Sequence, residues 1–174
     1  CNYAFGFLGD VLGADFEDMA TGANHPVRGT TAIPYGEWHH VAATYDGTTV
    51  VNNAGRIHAG GSNLAIAVLM EGVYGTNTLN NAATGFISAD GDEGYAFAVM
   101  GGDTVETINN SGRITGALAL YGGNDVFNNR SGGVWSTGGT TSTDFGDGND
   151  TINNLAGGLI DIQTGAITLG ADND

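Results

Sequence analysis

Five adjacent asparagine pairs divide the second half of the chain into repeats. The pairs begin at positions 52, 80, 109, 128 and 153, so their spacings are 28, 29, 19 and 25 residues. At least one apolar residue precedes each pair, and a turn of small residues leading to a β-branched residue follows it. A recurring unit of this size predicts a solenoid, because each repeat buries its apolar face only by stacking on its neighbours.

A third segment of the repeat alternates in hydrophobicity, as in Leu64–Leu69 (LAIAVL) and Tyr95–Met100 (YAFAVM). A period of two indicates strands with one buried face, and no helical pattern lies between them. The predicted fold class is all-β, a parallel β-helix of about four to five rungs. The side chains predicted to point inward are Ile66, Val68, Phe97, Val99, Leu118, Leu120, Ile167 and Leu169. One equivalent position is predicted for Ile57, Ile87, Ile114, Val134 and Ile160.

The paired asparagines are predicted to form a structural ladder. Equivalent side chains of stacked rungs lie one strand spacing apart, and an amide both donates and accepts hydrogen bonds. Asparagine also tolerates the left-handed backbone that a sharp corner requires. The predicted ladder residues are Asn52, Asn53, Asn80, Asn81, Asn109, Asn110, Asn128, Asn129, Asn153 and Asn154.

The first 49 residues differ in composition from residues 50–174. They contain both prolines, three of the four histidines and one of the two tryptophans. The run WHHVAATYDGTT ends in an Asp-Gly turn signal and reads as a strand entering a hairpin. Together with ADFED and TGANHPV, this run resembles part of a laminin-G-like (LamG-like, concanavalin A-like) jelly roll. The resemblance implies a partial antiparallel β-sandwich segment over 1–49, and no binding residue is carried over from it.

Residues 50–174 resemble the repetitive passenger regions of bacterial autotransporters and related adhesins. The motifs that carry this resemblance are INNSGRITGALALYGGNDVFNN and FGDGNDTINNLAGG. It implies export, a rod-like shape, and adhesion or display at an extracellular or outer-membrane surface. The repeat pattern breaks off within a rung at Asp174, so we expect the repeat region to be truncated at its C-terminus.

The charge balance narrows the classes of partner. Nineteen acidic residues against four arginines and no lysine give a net charge of -15. Such a chain repels phosphate backbones, so we expect no nucleic-acid binding. No apolar run has the length of a membrane span, so we expect no membrane insertion by this segment. The expected partner is a host or environmental glycan or protein surface.

The nonapeptide FGDGNDTIN, from Phe145 to Asn153, is close to a calcium-binding RTX repeat. Phe145 replaces its first glycine, and no tandem copy supplies the six to eight oxygens that calcium prefers. The weak calcium candidates are Asp147, Asp150 and Asp125. A plain polar turn with no cofactor is the favoured interpretation.

No catalytic constellation is apparent in the sequence. His39 and His40 are adjacent in a strand and therefore point to opposite faces, while His25 and His58 stand alone. The acidic loop Ala89–Glu93 (ADGDE) has no identifiable basic partner, and no Ser-His-Asp arrangement is evident. The sequence therefore predicts a non-enzymatic surface repeat protein. Two alternatives stay open: a LamG-like carbohydrate-binding module on a β-helical stalk, and a polysaccharide-active β-helix enzyme.

Overall fold

The structure is a computed structural model. It describes residues 3–8, 11–17, 24–32, 49–61, 64–71, 75–91, 95–138 and 141–174, and in the first three ranges it describes the backbone alone. The chain divides into two compact units, Cys1–Tyr45 and Asp46–Asp174. The described residues contain no helix long and apolar enough to cross a membrane.

The first unit contains one antiparallel sheet in the order β1-β2-β3. Its strands are β1 (Tyr3–Leu8), β2 (Val11–Glu17) and β3 (Asn24–Ala32). The prediction of a jelly-roll segment is not supported, because three antiparallel strands do not define that fold. The run WHHVAATYDGTT, at 38–49, lies outside the described residues except for Thr49, and His39 and His40 lie outside them with it.

The second unit is a parallel β-solenoid of about four turns. Each rung contributes one strand to each of three five-stranded sheets. The first sheet holds β4 (Thr49–Asn53), β7 (Thr76–Asn81), β10 (Val105–Asn110), β13 (Val126–Asn129) and β16 (Thr151–Asn154). The second sheet holds β5 (Arg56–Gly61), β8 (Phe86–Gly91), β11 (Arg113–Thr115), β14 (Val134–Ser136) and β17 (Leu159–Asp161). The third sheet holds β6 (Leu64–Leu69), β9 (Tyr95–Met100), β12 (Ala117–Ala119), β15 (Thr143–Asp144) and β18 (Ile167–Thr168).

The core is a set of apolar columns that run through the rungs. In the first sheet, the residue just before each asparagine pair faces inward, and Leu79, Ile108 and Phe127 are fully buried. Val51 and Ile152 cover the ends of this column as partly buried residues. The apolar side chains within this column thus pack between equivalents in neighbouring rungs, which confirms the predicted parallel β-helix.

One predicted column contains an error. The register aligns Ile57, Ile87, Ile114, Trp135 and Ile160, so Trp135 and not Val134 occupies the core position. Successive strand residues alternate between faces. A side chain therefore points inward only when it lies an even number of residues after the second, inward-facing asparagine of the pair. Trp135 lies six residues after Asn129, whereas Val134 lies five after it and faces outward. Trp135 is fully buried, and its indole N–H donates to the carbonyl of Gly116 at 3.1 Å.

The third sheet also departs from the predicted alternation. Val68, Val99, Leu118 and Leu120 are buried as predicted, but Ile66 and Phe97 are only half-buried and lie outside the core. A register shift between Ala117 and Leu118 leaves Ala98 and Val99 buried consecutively. Strict alternation therefore fails at this bulge, and alanines replace the predicted large residues inside.

Candidate functional site

The predicted asparagine ladder is two ladders of different character. The inner ladder consists of Asn53, Asn81, Asn110, Asn129 and Asn154, and its first four members are buried. The outer ladder consists of Asn52, Asn80, Asn109, Asn128 and Asn153, whose side chains are half-buried or exposed. Neighbouring strand residues point to opposite faces, so each pair contributes one amide to the interior and one to the surface.

Side-chain hydrogen bonds connect the rungs along both ladders. In the inner ladder each Nδ2 donates to the Oδ1 of the next rung, as from Asn81 to Asn110 at 2.9 Å and from Asn110 to Asn129 at 2.9 Å. In the outer ladder the donation runs the other way, as from Asn109 to Asn80 at 2.9 Å and from Asn128 to Asn109 at 3.1 Å. The amide dipoles of the two ladders therefore point in opposite directions along the axis.

The inner ladder satisfies the backbone of the turn as well as its own amides. The Nδ2 of Asn129 also donates to the carbonyls of Gly133 at 3.2 Å and Leu159 at 3.0 Å. A Cβ on Gly133 would lie 2.5 Å from the Oδ1 of Asn129, so only glycine leaves room for the amide. These buried contacts make the inner ladder part of the fold.

Three members of the outer ladder line an open groove on the surface, together with two inner members, Asn53 and Asn81. The groove has a volume of about 200 Å³ and lies against Asn52, Asn80, Asn109, Ser111 and Arg130. The guanidinium of Arg130 donates to the Oδ1 of Asn109 at 2.8 Å and is exposed. The groove therefore presents regularly spaced amides and the guanidinium of Arg130 to solvent.

A column of acids lies at the other end of the first-sheet strands. This acidic column contains Glu106, Asp125, Asp150 and Asp174, with Asn77 in the equivalent place one rung earlier. Each aspartate accepts a hydrogen bond from the backbone N–H of the preceding rung's member, whereas Glu106 accepts one from the side-chain Nδ2 of Asn77 at 2.8 Å. The N–H of Glu106 donates to Asp125 at 2.7 Å, and that of Asp125 donates to Asp150 at 2.8 Å. The carboxyls thus fix the start of each strand.

The second oxygens of three of these carboxyls are buried without a hydrogen-bond partner. They are Glu106 Oε2, Asp125 Oδ2 and Asp150 Oδ2. Burial raises the pKa of the Asp125 carboxyl to about 8, and the charges of Glu106 and Asp150 add to the increase. Burial also raises the pKa values of Glu106 and Asp150. Neighbouring buried carboxylates repel each other, so protons held within the column relieve this cost.

The calcium candidates do not form a common site in the structure. Asp125 and Asp150 are buried members of the acidic column, whereas Asp147 is exposed and pairs through its backbone with Tyr121 and Gly123. No cluster of three or more metal-binding side chains occurs in the described residues. Phe145 is fully buried in the core, and the φ values of Gly146 and Gly148 are +93° and +135°. The motif FGDGND is therefore a left-handed corner of the coil.

One cluster of side chains comes together only through the pairing of the second-sheet strands. His58 and Ser88 are aligned on neighbouring rungs, and Nδ1 of His58 lies 2.9 Å from Oγ of Ser88. Its Nε2 lies 3.4 Å from Oδ1 of Asp90. The structure thus brings together the three residue types that the sequence does not group. Gly60 leaves room for the contact, because a Cβ there would lie 3.3 Å from Asp90 Oδ1.

This cluster is better suited to holding the imidazole than to nucleophilic catalysis. Ser88 is only 7% exposed, so a substrate carbonyl has little access to its hydroxyl. Asp90 is largely exposed to solvent, unlike the buried aspartate that orients the histidine of a serine hydrolase. The rest of the acidic loop, at 92–93, lies outside the described residues.

No family model matches the chain, and none of the curated proteins or solved structures is significantly similar to it.

Proposed function

We propose that this protein is an exported repeat protein of a bacterial surface, in which the solenoid has a non-catalytic interaction or display role. The proposal takes the autotransporter and adhesin likeness of residues 50–174 as its starting point. The observation that carries it is the outer ladder, where five equivalent amides lie in file and three of them, Asn52, Asn80 and Asn109, line a solvent-open groove. Its partner is a glycan or a protein surface in the extracellular environment.

The difference in burial between the inner and outer ladders supports an interaction role for the outer ladder. The inner ladder already links the rungs through buried amides, so the fold does not require a second, exposed ladder of the same residue. Exposed amides hydrogen-bond to water as readily as to each other, and their net contribution to stability is small. A repeated row of donors and acceptors is well suited to an extended partner that makes the same contact on several rungs.

Binding arrays of glycans and extracellular proteins test the proposal with the full chain. The matched comparison is Asn80→Ala/Asn109→Ala, which removes two outer amides, against Gln163→Ala, which removes an exposed amide elsewhere. We expect array binding that the double variant lowers at least about tenfold and the control leaves unchanged. Far-UV circular dichroism checks that both variants keep the fold. Absence of binding to both arrays, or equal binding by the double variant, would refute the proposal.

A further inference from the structure

Positive charge is concentrated at one corner of the solenoid, where the chain turns from the first sheet to the second. Arg56, Arg113 and Arg130 all lie within four residues after an asparagine pair, and all three are exposed. We call them the arginine edge. The five segments from the asparagine pair to the next core residue contain no Asp or Glu, although the chain has 19 acids. These segments are 52–57, 80–87, 109–114, 128–135 and 153–160.

The guanidinium groups of the arginine edge keep free donors. The guanidiniums of Arg56 and Arg113 lie 5.7 Å and 5.8 Å from the ring centre of Phe86, in a cation-π arrangement. Arg113 also reaches the hydroxyl of Thr115 at 3.4 Å. Among the described residues, none of the three arginines forms a salt bridge. In so acidic a chain, unpaired guanidiniums on one edge are available for an external anion.

The stacking of rungs sets the distances along this edge. The register places Arg56 and Arg113 on either side of Phe86, two rungs apart, and Arg130 follows one rung later. With about 4.8 Å per rung, the separations along the axis are about 10 Å and about 5 Å. Such spacing fits an extended polymer that lies parallel to the axis and carries a negative charge on every monomer or every second monomer.

The groove beside the arginine edge supplies the complementary polar groups. It includes Ala54 and Ser111, each two residues before an arginine of the edge, and Arg130 itself. Amides of the outer ladder both donate and accept hydrogen bonds, as sugar hydroxyls do. A guanidinium forms two parallel hydrogen bonds with a carboxylate. The combination matches a polymer of sugars that bear carboxylates.

We infer that the outer ladder and the arginine edge together bind a linear acidic polysaccharide, with carboxylates on the arginines and hydroxyls on the amides. The inference rests on the proposed interaction role and specifies its ligand class. A nucleic acid fits less well, since a duplex carries a charge every 1.7 Å or so along its axis and the chain as a whole is acidic. Acidic residues more than about 8 Å from the arginine edge act only weakly on a ligand bound there, because physiological salt screens charges beyond that distance.

Titration of the full chain with alginate oligomers, which are linear polyuronates, tests the inference by calorimetry. We expect saturable binding that Arg56→Gln/Arg113→Gln weakens by at least about tenfold and Arg130→Gln by a smaller factor. The matched control is Arg28→Gln, which removes the same charge from β3 in the other unit and is expected to bind as the parent does. Dextran, a neutral polysaccharide, is expected not to bind.

The results separate this inference from the proposed function. If the chain binds a neutral glycan or a protein in the arrays but not alginate, the ligand class is wrong and the interaction role stands. Equal alginate affinity in Arg56→Gln/Arg113→Gln and the parent would overturn the assignment to the arginine edge. Tighter binding to a single-stranded oligonucleotide than to alginate would also overturn it. Circular dichroism of each variant distinguishes lost contacts from lost fold.

Discussion

The two corners that flank the first sheet use polar residues in opposite ways. At the start of the strands, Glu106, Asp125 and Asp150 of the acidic column are buried, and its aspartates accept backbone N–H groups across the rungs. At the end of the strands, the amides divide into a buried inner ladder and an exposed outer ladder, and cations stand beside the exposed one. One corner is wholly committed to the fold, whereas the other also offers a surface to a partner.

This difference shows how a short repeat separates stability from recognition. A buried polar group must be satisfied within the protein, so the acidic column and the inner ladder tolerate little change. The outer ladder and the arginine edge face solvent and are free to vary without cost to the core. Variants at the two corners should therefore differ in kind: loss of stability at one, and loss of binding with the fold intact at the outer positions of the other.

The largest expected effect is a pH dependence that originates in the acidic column. The folded state holds a proton on Asp125 up to a pKa of about 8, whereas the usual value is 3.8. Its contribution to stability is therefore fully present below about pH 4 and is lost as the pH rises toward 8. We expect the free energy of unfolding to fall by a few kcal/mol between pH 5 and pH 9 in urea titrations.

Two Asp→Asn variants test whether that pH dependence of stability comes from Asp125. Asp125→Asn should flatten the slope, because the amide does not ionise. Asp103→Asn removes the same charge from an exposed position and should leave the slope nearly unchanged. A parent protein that becomes more stable as the pH rises from 5 to 9 would contradict the proton-sharing interpretation.

The next largest effect compares the two ladders directly. Asn110→Ala leaves the Oδ1 of Asn129 without its inter-rung donor and the carbonyl of Val134 without its side-chain partner. We expect it to lower the free energy of unfolding by about 2–4 kcal/mol. Asn109→Ala removes the adjacent outer amide and should cost less than about 1 kcal/mol. Equal losses in urea unfolding would show that the two ladders do not differ in role.

A third prediction compares left-handed glycines at the two corners. Gly148, beside the acidic column, has φ of +135°, and an added Cβ would meet the backbone of Gly123. Gly132, at the asparagine corner, has φ of +81°, but the nearest atom to an added Cβ is 3.9 Å away. Gly148→Ala should therefore cost about 2–3 kcal/mol and Gly132→Ala about 1 kcal/mol. The reverse order in thermal or urea unfolding would be inconsistent with this corner geometry.

The smallest expected effect is that of calcium. The described residues provide no cluster of three metal-binding side chains, and FGDGND forms a glycine corner around the buried Phe145. Millimolar calcium should shift the melting temperature by less than about 1 °C, since a ligand stabilises only in proportion to its occupancy of the folded state. A large, saturable increase that Asp150→Asn abolishes would instead place a cation at the acidic column.

The sequence predicts those features that repeat identically. The asparagine pairs show where each rung lies in the sequence, because the same two residues recur in every repeat. Strand alternation also implies that one amide of each pair faces inward. The acidic column is harder to predict, since Asn77 and Glu106 replace aspartate in it. Its signal was present nonetheless: Asn77, Glu106, Asp125 and Asp150 each lie four residues before the second asparagine of a pair.

Other features depend on the register between rungs, which the sequence does not specify. Turns of different length follow the asparagine pairs, so residue type alone aligns Val134 with the isoleucines. The register instead aligns Trp135 with them, and Trp135 points inward. The bulge near Ala98 shifts the strand phase that alternation had assigned to Phe97. His58 meets Ser88 only because their strands pair across an interval of 30 residues.

Nuclear Overhauser contacts between backbone protons give the most direct test of the stacked coil. The structure predicts inter-strand contacts that run in file from Asn52 to Asn80, Asn109, Asn128 and Asn153, with parallel pairing throughout. Antiparallel contacts between consecutive segments, such as Val105–Asn110 with Arg113–Thr115, would contradict the solenoid and with it the grouping of the outer ladder and the arginine edge.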